Sequence, residues 1–284
     1  MRILLILSLL IFSLSAKSLF SNDAQADNSV YIGSLKDLVI ATQKTRGLTN
    51  SYMNGNIAAM LLVYANRKDM KRAIGVMESL PLASDPIVNT RATGISQSLI
   101  KLNRKAFKQE ASSVFEQYTE LIEQTLMLAQ TVSQRGSKEL NPVGKELSTI
   151  MMEVILPFTE NVGQMRGMGS GIVAKKKITK MQEAQMLAII NEIESLSAKL
   201  IVDMKTVSAK EKDHFDSSIN SKLDAIARTA KNYVSLTKKE ILEKKKIDYD
   251  ADTYFGKGTN LITLLVGIYI IDNKIILEDA KGWI

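Results

Sequence analysis

Proline is the feature that most restricts this chain. Four prolines stand in 284 residues, at 81, 86, 142 and 157, and none follows Pro157. Helices therefore have few places where they must stop. Alternating apolar and polar runs are scarce, as are hairpin dipeptides, so strands are not expected. Apolar spacing of 3 and 4 predicts helices over 30–53, 57–79, 86–104, 113–135, 142–174, 179–206, 209–245 and 251–279. Asp85-Pro86 and Asn141-Pro142 each read as an N-cap followed by proline at the first helical position. Ser113-x-x-Glu116, Thr179-x-x-Gln182 and Ser208-x-x-Glu211 have the capping-box pattern. Pro157 falls inside the fifth helix and is expected to kink it. The fold class that follows is all-α, with two four-helix bundles that share or stack long helices.

Composition then removes whole classes of chemistry. The chain has no cysteine and one histidine, His214. Disulfides, thiolate metal sites, cysteine nucleophiles and histidine-rich metal centres are excluded. His214 lies in the charged stretch Lys212-Asp213-His214-Phe215 without His or Cys partners, which reads as surface or cap. No Gly-rich phosphate loop, nucleophile–base pair or metal constellation is visible, so no catalytic residue, metal or cofactor is assigned and an enzyme is not expected. The formal net charge is +7, with both signs interspersed, and calls for no nucleic-acid partner.

Residues 1–16, MRILLILSLLIFSLSA, begin with a cation at Arg2 and continue as an apolar run too short to span a bilayer. This is the pattern of a secretory signal peptide, with cleavage after Ala16 or, alternatively, after the A-x-A triplet Ala24-Gln25-Ala26. The expected location is periplasmic or secreted, with an uncleaved membrane anchor as the less favoured alternative. A second apolar run, Leu261 to Ile271, is also short for a membrane span and is expected to be a helix buried on all sides.

Two arginines stand where apolar residues are expected. The first helix carries a stripe of Ile32, Leu35, Val39, Thr42, Arg46, Thr49 and Met53. The fifth carries Ile155, Phe158, Val162, Arg166, Gly169 and Val173. Each arginine is followed by glycine, Gly47 or Gly167, and then by small or polar residues, which makes a weak internal repeat. A buried guanidinium must meet an anion, because it cannot escape by losing its proton. No Asp or Glu lies within three residues of either arginine, and Glu160 stands six before Arg166. Two readings stay open: a small exogenous oxyanion held between two guanidinium forks, or internal salt bridges to carboxylates on other helices. Gly163, Gly167, Gly169 and Gly171 crowd the fifth helix, for close helix packing or for a backbone loosened near a ligand.

The stretch Gln43-Lys-Thr-Arg46-Gly47-Leu-Thr-Asn-Ser-Tyr52, followed by Asn54-Gly55, resembles the Gln-x-x-Arg-Gly-Leu-Ser-x-x-Tyr opening of nitrate- and nitrite-sensing (NIT) domains. Gln164-Met-Arg166-Gly167-Met-Gly-Ser170 is similar to that family's second arginine segment, and Tyr254-Phe255, Thr259 and the apolar run after them to its closing helix. The resemblance covers about residues 30–280, with Thr45 where the family often has Glu. It implies a helical sensor in which Arg46 and Arg166 bind nitrate or nitrite, and Gly47, Thr49, Asn50, Gly167 and Ser170 shape the pocket. No output region is recognisable in the sequence, so a separate signalling protein is the expected partner, with a homodimer left open. The alternative is a structural bundle whose arginines form internal salt bridges and bind no anion.

Overall fold

The computed structural model describes the backbone of residues 2–280 and the side chains of residues 24–279. The described backbone is helical, without strands: α1 (Arg2–Met53), α2 (Ala59–Ser79), α3 (Pro86–Lys105), α4 (Ala111–Gly136), α5 (Pro142–Ile150), α6 (Leu156–Lys175), α7 (Lys180–Lys210), α8 (Ile219–Thr237) and α9 (Ala251–Ala280). The all-α class is as the proline distribution predicts. The expected export leader, residues 1–16, lies outside the residues whose side chains are described.

Helices α1 and α6 are central. α1 packs on α2, α4, α6 and α9, and α6 packs on α1, α7 and α9. Further contacts join α3 to α4, α7 to α8 and α8 to α9. The outer helices show one buried face at helical spacing, as in α8, with Ile219, Leu223, Ile226, Ala230, Tyr233, Val234 and Thr237. In α6 nearly every residue from Leu156 to Val173 is buried, because neighbours surround it. Each leucine or isoleucine so buried contributes about 1.5–3 kcal/mol, and the polar side chains of α1 and α6 must find their partners inside the protein.

Caps explain most of the boundaries. Asp85 accepts from the N–H groups of Ile87 and Val88, Asn141 accepts from that of Gly144, and Thr179 with Gln182 forms the full capping box. Two expected caps do not occur. Ser113 lies inside the first turn of α4, which starts after an extended Glu110. Ser208 lies inside α7, where its hydroxyl donates back to the carbonyl of Met204 at 2.6 Å instead of to a helix start. The expected helix 209–245 is therefore corrected: α7 runs on to Lys210, a short 3₁₀ turn (Lys212–His214) follows, and α8 begins only at Ile219. His214 sits half-buried in that turn. Helices α5 and α6 are continuous through a π-helical turn (Met151–Ile155) just ahead of Pro157. Proline removes the N–H that would bond four residues back, and the wider turn absorbs the gap.

The run 261–271 is not buried on all sides. Leu261, Ile262, Leu265, Ile268 and Tyr269 face the core, whereas Thr263 is exposed and Ile270 is 57% exposed. Among the described residues α9 alone is long and apolar enough to cross a membrane by length and composition, and its inner face lies against α1, α5, α6 and α8.

Candidate functional site

The two Arg-Gly dipeptides meet where α1 and α6 come closest. A methyl group on Gly47 would lie 3.1 Å from the Cα of Gly167, so neither position has room for a side chain. The same alignment pairs Gly163 with Gln43, and Gly171 lies against Asn50, so the two helices run parallel. The glycines of α6 therefore serve close packing: Gly163 admits Gln43, Gly169 admits the Tyr254 ring and Gly171 admits Asn50. Asn50 locks the crossing by donating to the carbonyl of Gly167 at 2.9 Å, and the Ser170 hydroxyl donates to that carbonyl at 3.2 Å.

On either side of the crossing stands an arginine in an equivalent frame. Arg46 is 0% exposed and Arg166 1%. The Arg46 guanidinium lies 4.9 Å from the Phe115 ring centre, and that of Arg166 lies 4.4 Å from Phe255. Arg46 Nη1 donates to Thr119 Oγ1 at 2.8 Å, and Arg166 Nη1 donates to Thr259 Oγ1 at 2.9 Å. Each threonine follows its phenylalanine by one helical turn and donates to that phenylalanine's carbonyl at 2.9 Å. Helix α4 thus does for Arg46 what α9 does for Arg166.

The frames differ in their counter-ion. Glu160, on α6, bridges Arg46 through Oε1 to Nη1 at 2.6 Å and Oε2 to Nη2 at 3.3 Å. Gln43 and Gln164 each donate to the same carboxylate at 2.9 Å. The internal-salt-bridge reading therefore holds for Arg46, across helices. Arg166 forms no salt bridge among the described residues. Its Nε and Nη2 are buried without a hydrogen-bond partner. Burial, and secondarily the Arg46 charge, pushes Arg166 down to about 10, so it remains a cation at neutral pH.

Beside this unpaired guanidinium stands Tyr233 of α8. A methyl on Gly258 would lie 2.7 Å from the Tyr233 hydroxyl and 2.9 Å from Arg166 Cβ, so both residues pack on that glycine. The Tyr233 hydroxyl is buried, has no partner, and is raised well above the ordinary phenol value, first by burial and then by Tyr254. Tyr254 is pushed up to about 12 by burial and shares a 2.8 Å hydrogen bond with Thr237. Arg166 Nε and Nη2 are thus two unpartnered donors on one buried cation, whose side-chain base packs beside Tyr233.

Of the residues expected to shape a pocket, Gly47, Gly167, Asn50 and Ser170 meet at the crossing. Thr49 does not: it is fully buried beside Tyr118. Sequence reasoning missed Phe115, Thr119 and Tyr233. The repeated Phe-x-x-x-Thr spacing in 115–119 and 255–259 was the available signal. A groove of about 900 Å³ between α4, α6 and α7 is lined in part by Phe115, Thr119 and Gln164, the side chains that pack on or bond to Arg46 and Glu160. Among the described residues no three Asp, Glu or His side chains converge as a metal site would require.

An all-helical scaffold that buries two guanidiniums at a glycine crossing, one of them without a counter-ion, defines a class: a helical protein with an internal cationic site. The chain belongs to the nitrate- and nitrite-sensing (NIT) family, whose profile matches residues 37–269. A solved structure of the NasR transcription antiterminator is similar over 97% of this chain and 74% of its own, with a TM-score of 0.58 and 13% identity. At that identity the likeness shows the fold alone. No curated protein matches the chain.

Proposed function

We propose that the chain binds nitrate or nitrite at the α1–α6 crossing and passes the binding event to a separate signalling protein. Arg166 is the primary anchor. The observation that carries this reading is its wholly buried, unpaired guanidinium, with two N–H groups that nothing among the described residues accepts. A planar oxyanion would accept from both, and would remove the penalty of an uncompensated buried charge. Arg46 adds a second positive charge nearby. Its pairing with Glu160 supports a structural role for that half, so the two readings of the arginines divide between the two sites.

Residues 1–16 support export, and we propose a periplasmic or secreted location. Amino-terminal sequencing of the chain recovered from a bacterial periplasm would test it; an intact Met1 would contradict cleavage.

Thermal unfolding at matched ionic strength, with nitrate, nitrite, chloride, sulfate or bicarbonate, tests the binding. A ligand at about 100 times its dissociation constant adds about 2.7 kcal/mol. The expected result is a rise in Tm with nitrate or nitrite alone, lost in Arg166→Met. Equal shifts with all anions, or none, would overturn the assignment.

A further inference from the structure

We propose that Glu160 is a resident competitor of the anion, a built-in planar oxyanion that sets both the affinity and the charge selectivity of the site. This rests on the anion reading above. Three observations carry it.

The first is shape. A carboxylate presents two oxygens on one planar centre, as nitrite does and as one edge of nitrate does. Glu160 lies on Arg46 in that manner, at 2.6 and 3.3 Å, with Gln43 and Gln164 completing its shell. Arg46 in its frame is thus already a filled oxyanion site, and shows what Arg166 in its equivalent frame lacks.

The second is the broken symmetry. In the parallel register of α1 and α6, Glu160 stands six residues before Arg166 and serves Arg46 on the other helix. The position six residues before Arg46 on α1 is Ile40. One half of the repeat carries the counter-ion and the other carries a hydrocarbon. The unpaired charge on Arg166 follows from that single difference.

The third is the charge count. Arg46 and Glu160 are both close enough to Arg166 to act on its charge, Arg46 unfavourably and Glu160 favourably. Two guanidiniums and one carboxylate leave a net charge of one positive unit, which a single monovalent anion neutralises. A divalent anion would leave one buried negative charge in excess, and a site without Glu160 would leave one positive charge in excess. Glu160 thereby favours monovalent oxyanions and, by partly neutralising the cluster, keeps their affinity modest.

Titration calorimetry with sodium nitrate and sodium sulfate tests this on the mature chain, its Glu160→Gln and Arg166→Met variants, and the double variant Arg46→Met/Glu160→Gln. Glu160→Gln is expected to bind nitrate roughly tenfold or more tightly, because a nearby like charge is gone, and to lose discrimination against sulfate. The double variant restores one net positive charge with neither partner left alone, and is expected to return to within about threefold of the unaltered affinity, because the same net charge faces the anion. Unchanged or weaker nitrate binding by folded Glu160→Gln would overturn the proposal, as would loss of binding in the double variant, which decides the matter even if Glu160→Gln fails to fold. Absence of nitrate binding by the unaltered chain would instead overturn the anion reading on which the proposal stands.

Discussion

Arg46 and Arg166 are equally buried, each stacked on a phenylalanine and each bonded to a threonine one turn further along the same neighbouring helix. Among the described residues, of the two only Arg46 has a carboxylate. The frame is therefore not what satisfies a buried cation, since it is common to both. Stacking and one hydroxyl hold the guanidinium in place, and the carboxylate decides whether its charge is paired. The same scaffold tolerates both states because its other contacts, at the glycine crossing and along the outer faces, do not depend on the charge.

The largest expected effect separates the two arginines directly. Arg46→Met leaves Glu160 buried without its cation and should cost about 3–5 kcal/mol in urea unfolding. Arg166→Met removes an uncompensated cation and should cost nothing or stabilise. Equal losses in the two variants would break the comparison.

Asp272 sharpens it from another side. It is 0% exposed and neither oxygen has a partner. Burial raises its pKa well above the ordinary carboxylate range, so it escapes by holding a proton, which Arg166 cannot do by losing one. The folded-state value lies above the unfolded one. Stability from this group is thus complete below the ordinary carboxylate range and is lost as pH rises through the raised value. Asp272→Asn should keep that stability at neutral pH and flatten the dependence; a profile unchanged by the substitution would refute this.

The threonines come next. Thr259→Val removes the one acceptor of a buried cation and should cost about 1–3 kcal/mol, whereas Thr119→Val leaves Arg46 with Glu160 and should cost about 0.5–1.5 kcal/mol. Denaturant midpoints at equal slope would show the order, and a reversed order would contradict the division of roles. The smallest effects compare glycines. Gly167→Ala pushes a methyl group against Phe115 and the Gly47 backbone, an overpacking of about 1–3 kcal/mol partly offset by helix propensity. Gly75→Ala meets nothing within 4 Å and should gain up to about 1 kcal/mol. Equal changes in Tm would remove the crossing as a special contact.

Much of this was legible in the residues. Proline placement and three of the five expected caps located helix starts to within a residue, and the interruption of an apolar stripe marked both arginines before any contact was known. What escaped depends on distance across helices. Glu160 was visible six positions before Arg166, but a helix turns about 100° per residue, and its partner proved to be Arg46 on the parallel neighbour. Phe115 and Thr119 sit on a helix that looked ordinary by itself. Ser208 misled because a serine hydroxyl bonds equally well to a carbonyl one turn back as to a helix start. The exposed Ile270 shows why an apolar run is weaker evidence of complete burial than of one broad packed face.

The π turn at Met151–Ile155 has a consequence for how such a chain can change over time. One extra residue per turn rotates everything beyond it by about 100° relative to an unbroken α-helix. α5 packs on α7 and α9, and the continuing α6 packs on both of these and on α1, so the main contact of this rod with α1 lies beyond the turn. Point substitutions cannot supply that offset; a one-residue insertion or deletion can. Losing a residue there would leave Arg46, Glu160 and Arg166 all in the gene, yet swing the two on α6 out of register with either α1 or the helix behind it. Deleting one residue within Met151–Ile155 should therefore dismantle the site while all three side chains stay in the sequence.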